Sequence, residues 1–369
     1  MTAAAAYAGV QLLAGERPTP EHEQKVHEKL GIILCDLLEI RPPRLIEVGD
    51  TQAQHPYYLP ARTLTGIVAE QLGIRSEQNF FGGWVSDPFI ATKAISHPLF
   101  PGSGAPSSWH AGFADLAGDA LLPGWTVFSK ADARRAGLAM LERAPLRLKP
   151  VRATAGRGQQ VITQLPALDA ALDAMDDTEL AQWGLVLEEN LADVETFSVG
   201  QVRVGSHIAS YHGTQRLTQD NAGEWVYGGS NLVVYRGDYS AILEQELAPA
   251  VRTAIEQARS YEAAVERSYP GFFASRRNYD IAIGTTHEGK RLSGVLEQSW
   301  RVGGASSAEL LALQAFKNDP TLRRVNASTH EVFGAATVPP GAELFFEGDD
   351  AEVGPITKYA RIQTHGHSE

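Results

Sequence analysis

Asp280 and Glu297 stand equidistant from a turn centred between Glu288 and Gly289, inside two alternating apolar runs, 278–283 and 291–297, that read as the strands of a hairpin. Such a hairpin places the two acids directly opposite on one face, where like charges destabilise a sheet. Carboxylates held face to face call for a cation, and hard oxygen ligands with room left for substrate phosphates are the usual setting of Mg²⁺. Ser299, two residues on, shares the face and adds an oxygen. A pair of acids on a solvated hairpin face is the plain alternative.

Lys149 ends another apolar run, 146–150, and is followed by Ala153-Thr154-Ala155-Gly156-Arg157-Gly158. One ammonium and the N–H groups bared by Gly156 and Gly158 can surround a polyphosphate, although two glycines also simply make a turn. Neither G-x-x-x-x-G-K-[ST] nor G-x-G-x-x-G occurs, so a standard NTPase loop and a dinucleotide fingerprint are both excluded. Residues 186–191 leave a strand through Glu188, Glu189 and Leu191 and reach Glu195 before the next strand. Such a connection can offer backbone groups to an adenine edge and an acid to ribose hydroxyls. It also reads as a solvated acidic linker.

The elements that must carry these residues follow from periodicity. Thr19 and Pro20 open a helix with Val26, Leu30, Ile33, Leu34 and Leu37 on one stripe. A strand is expected over 44–48, and Leu64, Ile67, Val68 and Leu72, closed by Gly73, mark another helix. Strand and helix alternation predicts an α/β domain over 1–125, with a boundary near Pro123-Gly124. Ser129 and Asp132 have the form of a capping box, opening a helix with Ala133, Ala136, Met140 and Leu141 on one face. The stretches 146–150, 160–162 and 184–188 group as three strands, and 196–204 starts a new sheet. Residues 243–265 read as mainly helical despite Pro249, and Ser306 with Glu309 caps a helix to about Lys317. From about Gly334, prolines, glycines and acids predict an extended appendage.

With 369 residues, 43% apolar and 21% charged, a soluble globular chain of two or three domains is expected. A net charge of -12 and a pI near 5.4 argue against partners with a polyanionic surface, whether nucleic acid or membrane. The single cysteine, Cys35, excludes an internal disulfide and a finger-type zinc cluster, and lies in an apolar helical run as a core thiol. No apolar stretch approaches the ~18 residues of a membrane span. The alanine-rich start lacks the Lys or Arg that opens a secretory signal, so the cytoplasm is the expected location.

Taken in order, these motifs resemble the ATP-grasp superfamily, which includes D-alanine:D-alanine ligase, glutathione synthetase and biotin carboxylase. Leu148-Lys149-Pro150 with Gly156 and Gly158 resembles the strand ending in Lys-Pro before the family's glycine loop. Glu188 and Glu195 resemble the hinge acids for adenine and ribose. Tyr279-Asp280 and Leu296-Glu297-Gln298-Ser299-Trp300-Arg301-Val302-Gly303-Gly304 resemble the metal hairpin, with Ser299 where the family usually has Asn, a longer and better ligand. The likeness runs from about 127 to 317, and the chain as a whole resembles a proteobacterial family related to biotin carboxylase.

The resemblance implies an α/β and α+β architecture in which two α+β subdomains, 126–190 as lid and 191–333 with the metal site, clamp ATP behind the α/β domain and ahead of the appendage at 334–369. It implies ATP and Mg²⁺ (or Mn²⁺), with Lys130, Lys149, Gly156, Gly158, Glu188, Glu189, Leu191 and Glu195 around the nucleotide. Asp280, Glu297 and Ser299 would hold metal, and Arg301 with Lys149 would grip the transferred phosphoryl. His212 and Arg216, with Lys93 and His97 from the first domain, are candidates for contacting the acceptor substrate. His365 and His367 are expected to form a tail, since two histidines alone bind metal poorly. The implied activity is activation of a small carboxylate as an acyl phosphate and its capture by an amine or thiol nucleophile, in a homodimer if the commonest assembly holds. Carboxylase-like use of bicarbonate, for which the chain has no Met-Lys biotinylation site, and a regulatory nucleotide binder without turnover are the alternatives.

Overall fold

A computed structural model describes residues 7–15, 18–47, 55–152 and 158–363. The helix Glu21–Leu37 buries Leu30, Ile33, Leu34, Cys35 and Leu37, the stripe its spacing predicts. It covers a parallel three-stranded sheet ordered Leu45–Ile46, Val10–Leu13, Tyr57–Pro60. The helix expected over 64–72 is instead a short strand, Leu64–Thr65, and a single turn, Val68–Gln71, with Ile67 65% exposed. Leu64 turns aside to join Tyr58, Ala69, Ile74 and Phe80 in a small separate core. The segment without periodicity holds two 3₁₀ turns, Pro88–Ala91 and Lys93–Ser96, whose Phe89, Ile90, Ala94 and Ile95 are all buried. A segment buried on every side has no amphipathic period to read.

The second layer is an antiparallel sheet ordered Gly124–Val127, Leu185–Glu189, Leu146–Pro150, Gln160–Ile162. Alternation sends Val127, Leu146, Leu148, Ile162, Leu185 and Leu187 into one core with the helices Lys130–Leu141 and Leu165–Asp173. Thr126, Lys149, Val186 and Glu188 take the other face. Ser129 caps the first helix as expected, accepting from the Asp132 N–H at 3.1 Å.

The third layer is an eight-stranded antiparallel sheet ordered Arg291–Ser299, Arg276–Thr285, Ala192–Val204, His207–Gln219, Trp225–Arg236, Arg324–Phe333, Gly354–Gln363, Glu343–Asp350. One face packs Val199 and Ile281 against the helix Pro249–Ser268. Pro249 starts that helix, where its missing N–H costs nothing, so the run expected over 243–265 is divided there. The other face packs Val202, Tyr211, Leu232 and Ala327 with Ala308 and Leu313 of the helix Ser306–Asn318 and with the helix Glu21–Leu37. The residues after Gly334 are not an appendage: they supply the last two strands and bury Phe345, Ile356 and Ala360. Pro339, Pro340 and Gly341 fall in the turn before the first of them. Among the described residues no helix is long and apolar enough to cross a membrane.

The strand Arg291–Ser299 forms the edge of this sheet, and Leu121 bridges to Val295 in parallel alongside it. Gly294 permits the approach, since a Cβ there would lie 2.9 Å from the Leu122 backbone nitrogen and 3.0 Å from the Leu121 carbonyl carbon. Gly294→Ala should therefore destabilise the protein by about 1–3 kcal/mol, read by thermal unfolding. A wild-type melting curve would show that 121–122 does not seal this edge.

Candidate active site

The hairpin brings Asp280 and Glu297 together as registered partners. The turn itself is centred one half-residue earlier than the spacing suggests, on Glu288, with Gly289 at φ 82° and the Thr286 N–H donating to the Lys290 carbonyl. Pairing about that centre runs from Thr285–Arg291 to Ile281–Val295, then a bulge at Leu296 resets it so that Asp280 meets Glu297 and Asn278 meets Ser299. A bulge re-aims side chains in this way beside many active sites.

Gln215, on the fourth strand of the sheet, His207–Gln219, donates to Asp280 Oδ1 at 2.8 Å. Lys93 lies 2.7 Å from Glu297 Oε2, its side chain 4% exposed against 33% for the glutamate. Burial, and then the charge of Glu297, push Asp280 up to about 7. Burial also works against the Glu297 carboxylate, but Lys93 outweighs it and holds Glu297 below its ordinary value.

Across from the hairpin, Lys149 and Glu188 share the polar face of the four-stranded sheet. Lys149 Nζ lies 2.5 Å from Glu188 Oε1, both side chains 3% exposed, and His97 Nε2 lies 3.0 Å from Glu188 Oε2. The other ring nitrogen of His97 faces the Leu122 carbonyl at 3.0 Å. Gly124 makes room for this ring, because a Cβ there would come within 2.9 Å of it. Burial raises Glu188, yet Lys149 and His97 together hold it down at about 2. Burial lowers Lys149 in spite of Glu188. The two shifts pull the pair in opposite senses, and the short contact with two donors on one carboxylate decides for the ionised pair. Lys149 also feels Lys93 and Glu297, so the buried His97, Glu188, Lys149 and Lys93 continue to the half-buried Glu297 and Asp280 as one run of ionisable groups between the two sheets.

Behind the hairpin Arg276, 1% exposed, makes a two-pronged pair with Glu309, at 3.0 and 2.9 Å, and Tyr211 donates to the same carboxylate at 2.5 Å. Glu309 is thus no cap: the helix Ser306–Asn318 starts without one. The remaining nitrogen of Arg276 donates to the carbonyls of Ser299 and Arg301 and to Ser299 Oγ at 3.1 Å.

Other expected residues are redistributed. The side chain of Leu191 packs with Leu122, Ala282, Leu292 and Leu296. Glu189 is half-buried, raised by burial and then by Glu288. Arg301 is half-buried, donates to the Val302 carbonyl at 2.8 Å, and is lowered by burial and by neighbouring Arg62. Lys130 is not in the run of charge; it lies 3.5 Å from the exposed Asp177, a contact worth little.

Glu195 pairs with Ile283 and so points to the face opposite Asp280, while Thr196, paired with Ala282, takes the inward position. His212 pairs with Val199 and Val233, one step off the Ser198–Asp280 row, and is likewise on the far face. It lines a cavity of about 540 Å³ there with Thr214, Asn231, Ser328 and Arg361. Arg216 is held on that side by the Thr329 carbonyl at 2.6 Å and His330 Nδ1 at 3.1 Å. Neither reaches the acids. Gly158 is exposed at φ 69°, whereas Gly156, His365 and His367 lie outside the described residues. Gln215, Asn278, Arg276 and Tyr227, the last packed on Gly304, went unnoticed in the sequence. For two of them a signal existed: Arg276, Asn278 and Asp280 alternate along one strand and must share a face.

A small and a large antiparallel sheet joined through 189–192, with their charged faces turned together, make the ATP-grasp fold, and solved ligases of that fold match along most of the chain. Phosphoribosylamine–glycine ligase from Thermotoga maritima matches with a TM-score of 0.51 at 14% identity, over 96% of this chain and 92% of its own. Biotin carboxylase from Campylobacter jejuni gives 0.47 at 10% identity over 96% and 87%, and D-alanyl-alanine synthetase A from Vibrio cholerae 0.44 at 12% over 86% and 95%. At 14% identity the match to the first of these supports the fold and nothing finer. No curated protein sequence matches the chain. By sequence the chain belongs to the family described as "Protein of unknown function (DUF3182)", whose model matches residues 10–360.

Two outcomes follow from the charges. Glu188→Gln should cost about 3–5 kcal/mol in chemical denaturation, because it strands Lys149 without its counter-charge in a buried place; a loss under 1 kcal/mol would mean that water reaches the pair. For Asp280 the sign is reversed. Its native pKa lies above its unfolded one, so in metal-free protein stability is lost as pH rises from the ordinary carboxylate range to about 7. Asp280→Asn should remove that decline, and denaturation curves at pH 5 and 8 that fall equally in both proteins would refute the raised value.

Proposed function

We propose that this chain is an ATP- and Mg²⁺-dependent ligase that activates a carboxylate as an acyl phosphate and passes the acyl group to an amine or thiol. The observation that carries the reading is the single, largely buried run of ionisable groups that joins Lys149 on one sheet to the opposed Asp280 and Glu297 on the other. Such a run is costly to bury for structure alone and is suited to a polyphosphate.

In this reading the adenine edge lies along the backbone of 189–191 and Lys149 turns to the phosphates. His97 keeps Glu188 paired when it does. The two opposed carboxylates are hard oxygen donors of the kind that suits Mg²⁺, which when bound would neutralise charge gathering on the phosphoryl oxygens. Arg301, with Arg62 in its field, favours an anionic acceptor, and its planar fork fits a carboxylate. A carboxylate oxygen attacks the γ-phosphorus, the bond to ADP breaks, and the nucleophile then displaces phosphate from the acyl carbon. The chain holds these partners in line, and positioning with fixed positive charge supplies most of the acceleration.

The test is release of ADP and phosphate from Mg·ATP with pooled carboxylic acids, amino acids and thiols. Acid-dependent ADP formation is expected, and EDTA should stop it. Glu297→Gln should lower the rate by about a hundredfold or more with an unchanged circular dichroism spectrum, and full activity in that variant would remove Glu297 from the site. Dependence on bicarbonate and biotin would favour a carboxylase. Tight ATP binding without turnover under every mixture would favour a regulatory nucleotide binder, a reading that the hold of Arg276 on Ser299 Oγ keeps in view.

A further inference from the structure

We infer that Lys93 is a built-in cation of the phosphate site: its ammonium occupies one carboxylate oxygen of Glu297, so the hairpin takes up a single divalent cation and does so against the charge of Lys93. This rests on reading Asp280 and Glu297 as the metal pair. Lys93 comes from the first domain, far from the hairpin in sequence, yet its placement is built rather than incidental. Gln298, the residue after Glu297, donates to the carbonyls of Ile90 and Thr92 at 2.9 and 2.6 Å, clamping the backbone just ahead of Lys93 to the hairpin strand. Tyr261 donates to the same amide at 3.0 Å and meets Ser96 Oγ at 3.1 Å, fixing the far end of the turn. Thr92 caps it, its Oγ1 accepting from the Ala94 N–H at 3.1 Å. The lysine stem is 4% exposed and ends 2.7 Å from Glu297 Oε2.

The neighbouring ligand positions point the same way. A second divalent cation on Glu297 would draw on Oε2 and on Ser299 Oγ. The first faces the Lys93 ammonium, and the second accepts from the Arg276 guanidinium at 3.1 Å. Two fixed cations thus hold both oxygens. Glu188 is answered by Lys149 and Glu297 by Lys93, whereas Asp280 accepts from the uncharged amide of Gln215. The place left for a mobile cation is between Asp280 and the other oxygen of Glu297. A lysine in this position gives the phosphates a positive charge that cannot dissociate, at the cost of weaker metal binding before nucleotide arrives.

Mn²⁺ binding to the full chain, counted by electron paramagnetic resonance with and without a non-hydrolysable ATP analogue, tests this. One Mn²⁺ per chain is expected in the wild type. Lys93→Met, which keeps the stem and removes the charge, should bind Mn²⁺ about tenfold tighter or more without nucleotide, and Lys93→Arg should stay near wild type. Lys93→Gln provides the same comparison if the methionine variant folds poorly. Two Mn²⁺ in the wild type, or equal Mn²⁺ affinity in the wild type and the uncharged variants, would overturn the assignment. If neither the wild type nor any variant binds the ATP analogue while the uncharged ones still bind Mn²⁺ more tightly, the ligase reading fails and only the competition of Lys93 with metal at Glu297 stands.

Discussion

Two carboxylates on adjacent strands, aimed at one another by a bulge, raise the free energy of the fold unless positive charge is brought to them. The structure meets that demand in part: Lys93 brings positive charge to Glu297, and Gln215 gives Asp280 an uncharged donor from within the sheet. Because Lys93 must be delivered around the edge of the sheet, the first domain cannot simply rest near the hairpin. It is fastened there by Gln298, by the Leu121–Val295 bridge and by the absence of a side chain at Gly294. The electrostatics of the site therefore dictate part of the domain packing.

The same reasoning explains Arg276 and Glu309. Burying an ion pair seldom stabilises a protein relative to apolar packing, so its worth lies in what the geometry fixes. Arg276 spends its outward nitrogen on the backbone at 299 and 301 and on Ser299 Oγ, which sets the end of the hairpin and the start of the segment bearing Arg301 and Gly304. Ser299 is thereby diverted from the metal-ligand role its position suggests. A shorter side chain with a hydrogen-bonding partner of its own serves as an anchor for Arg276.

Much of the site was legible because its signals are local. Period-two spacing about a glycine turn brought Asp280 and Glu297 together, and a lysine closing an apolar strand marked Lys149. What failed depended on facts a single sequence does not hold. The Leu296 bulge offsets a turn centre displaced by half a residue, so the acids meet for a reason the spacing does not contain. Glu195 is lost to a register shift between Ala192 and Glu195, where Asp193 takes φ 49°; a one-residue slip turns every side chain over. His212 and Arg216 needed the parity of two further strands to be assigned a face. The pairing of Lys149 with Glu188 joins neighbouring strands, and sequence reading placed those residues at opposite ends of a nucleotide. In the C-terminal part, composition misled because the prolines and glycines that suggested an appendage occupy a turn, leaving the strands around it intact.

Glu188 shows why a pre-formed pair does not block a binding role. A lysine engaged by a carboxylate that had no other donor could leave only by stranding a buried charge, a loss of several kcal/mol. Here His97 meets the second oxygen, and its own ring is oriented by the Leu122 carbonyl, so the carboxylate would keep a partner if Lys149 turned toward a phosphate. Gly124 is what admits the imidazole, and Leu122 is the residue that Gly294 lets in against the hairpin edge. A path of contacts thus runs from the edge of the large sheet through Leu122, His97 and Glu188 to the lysine of the small one.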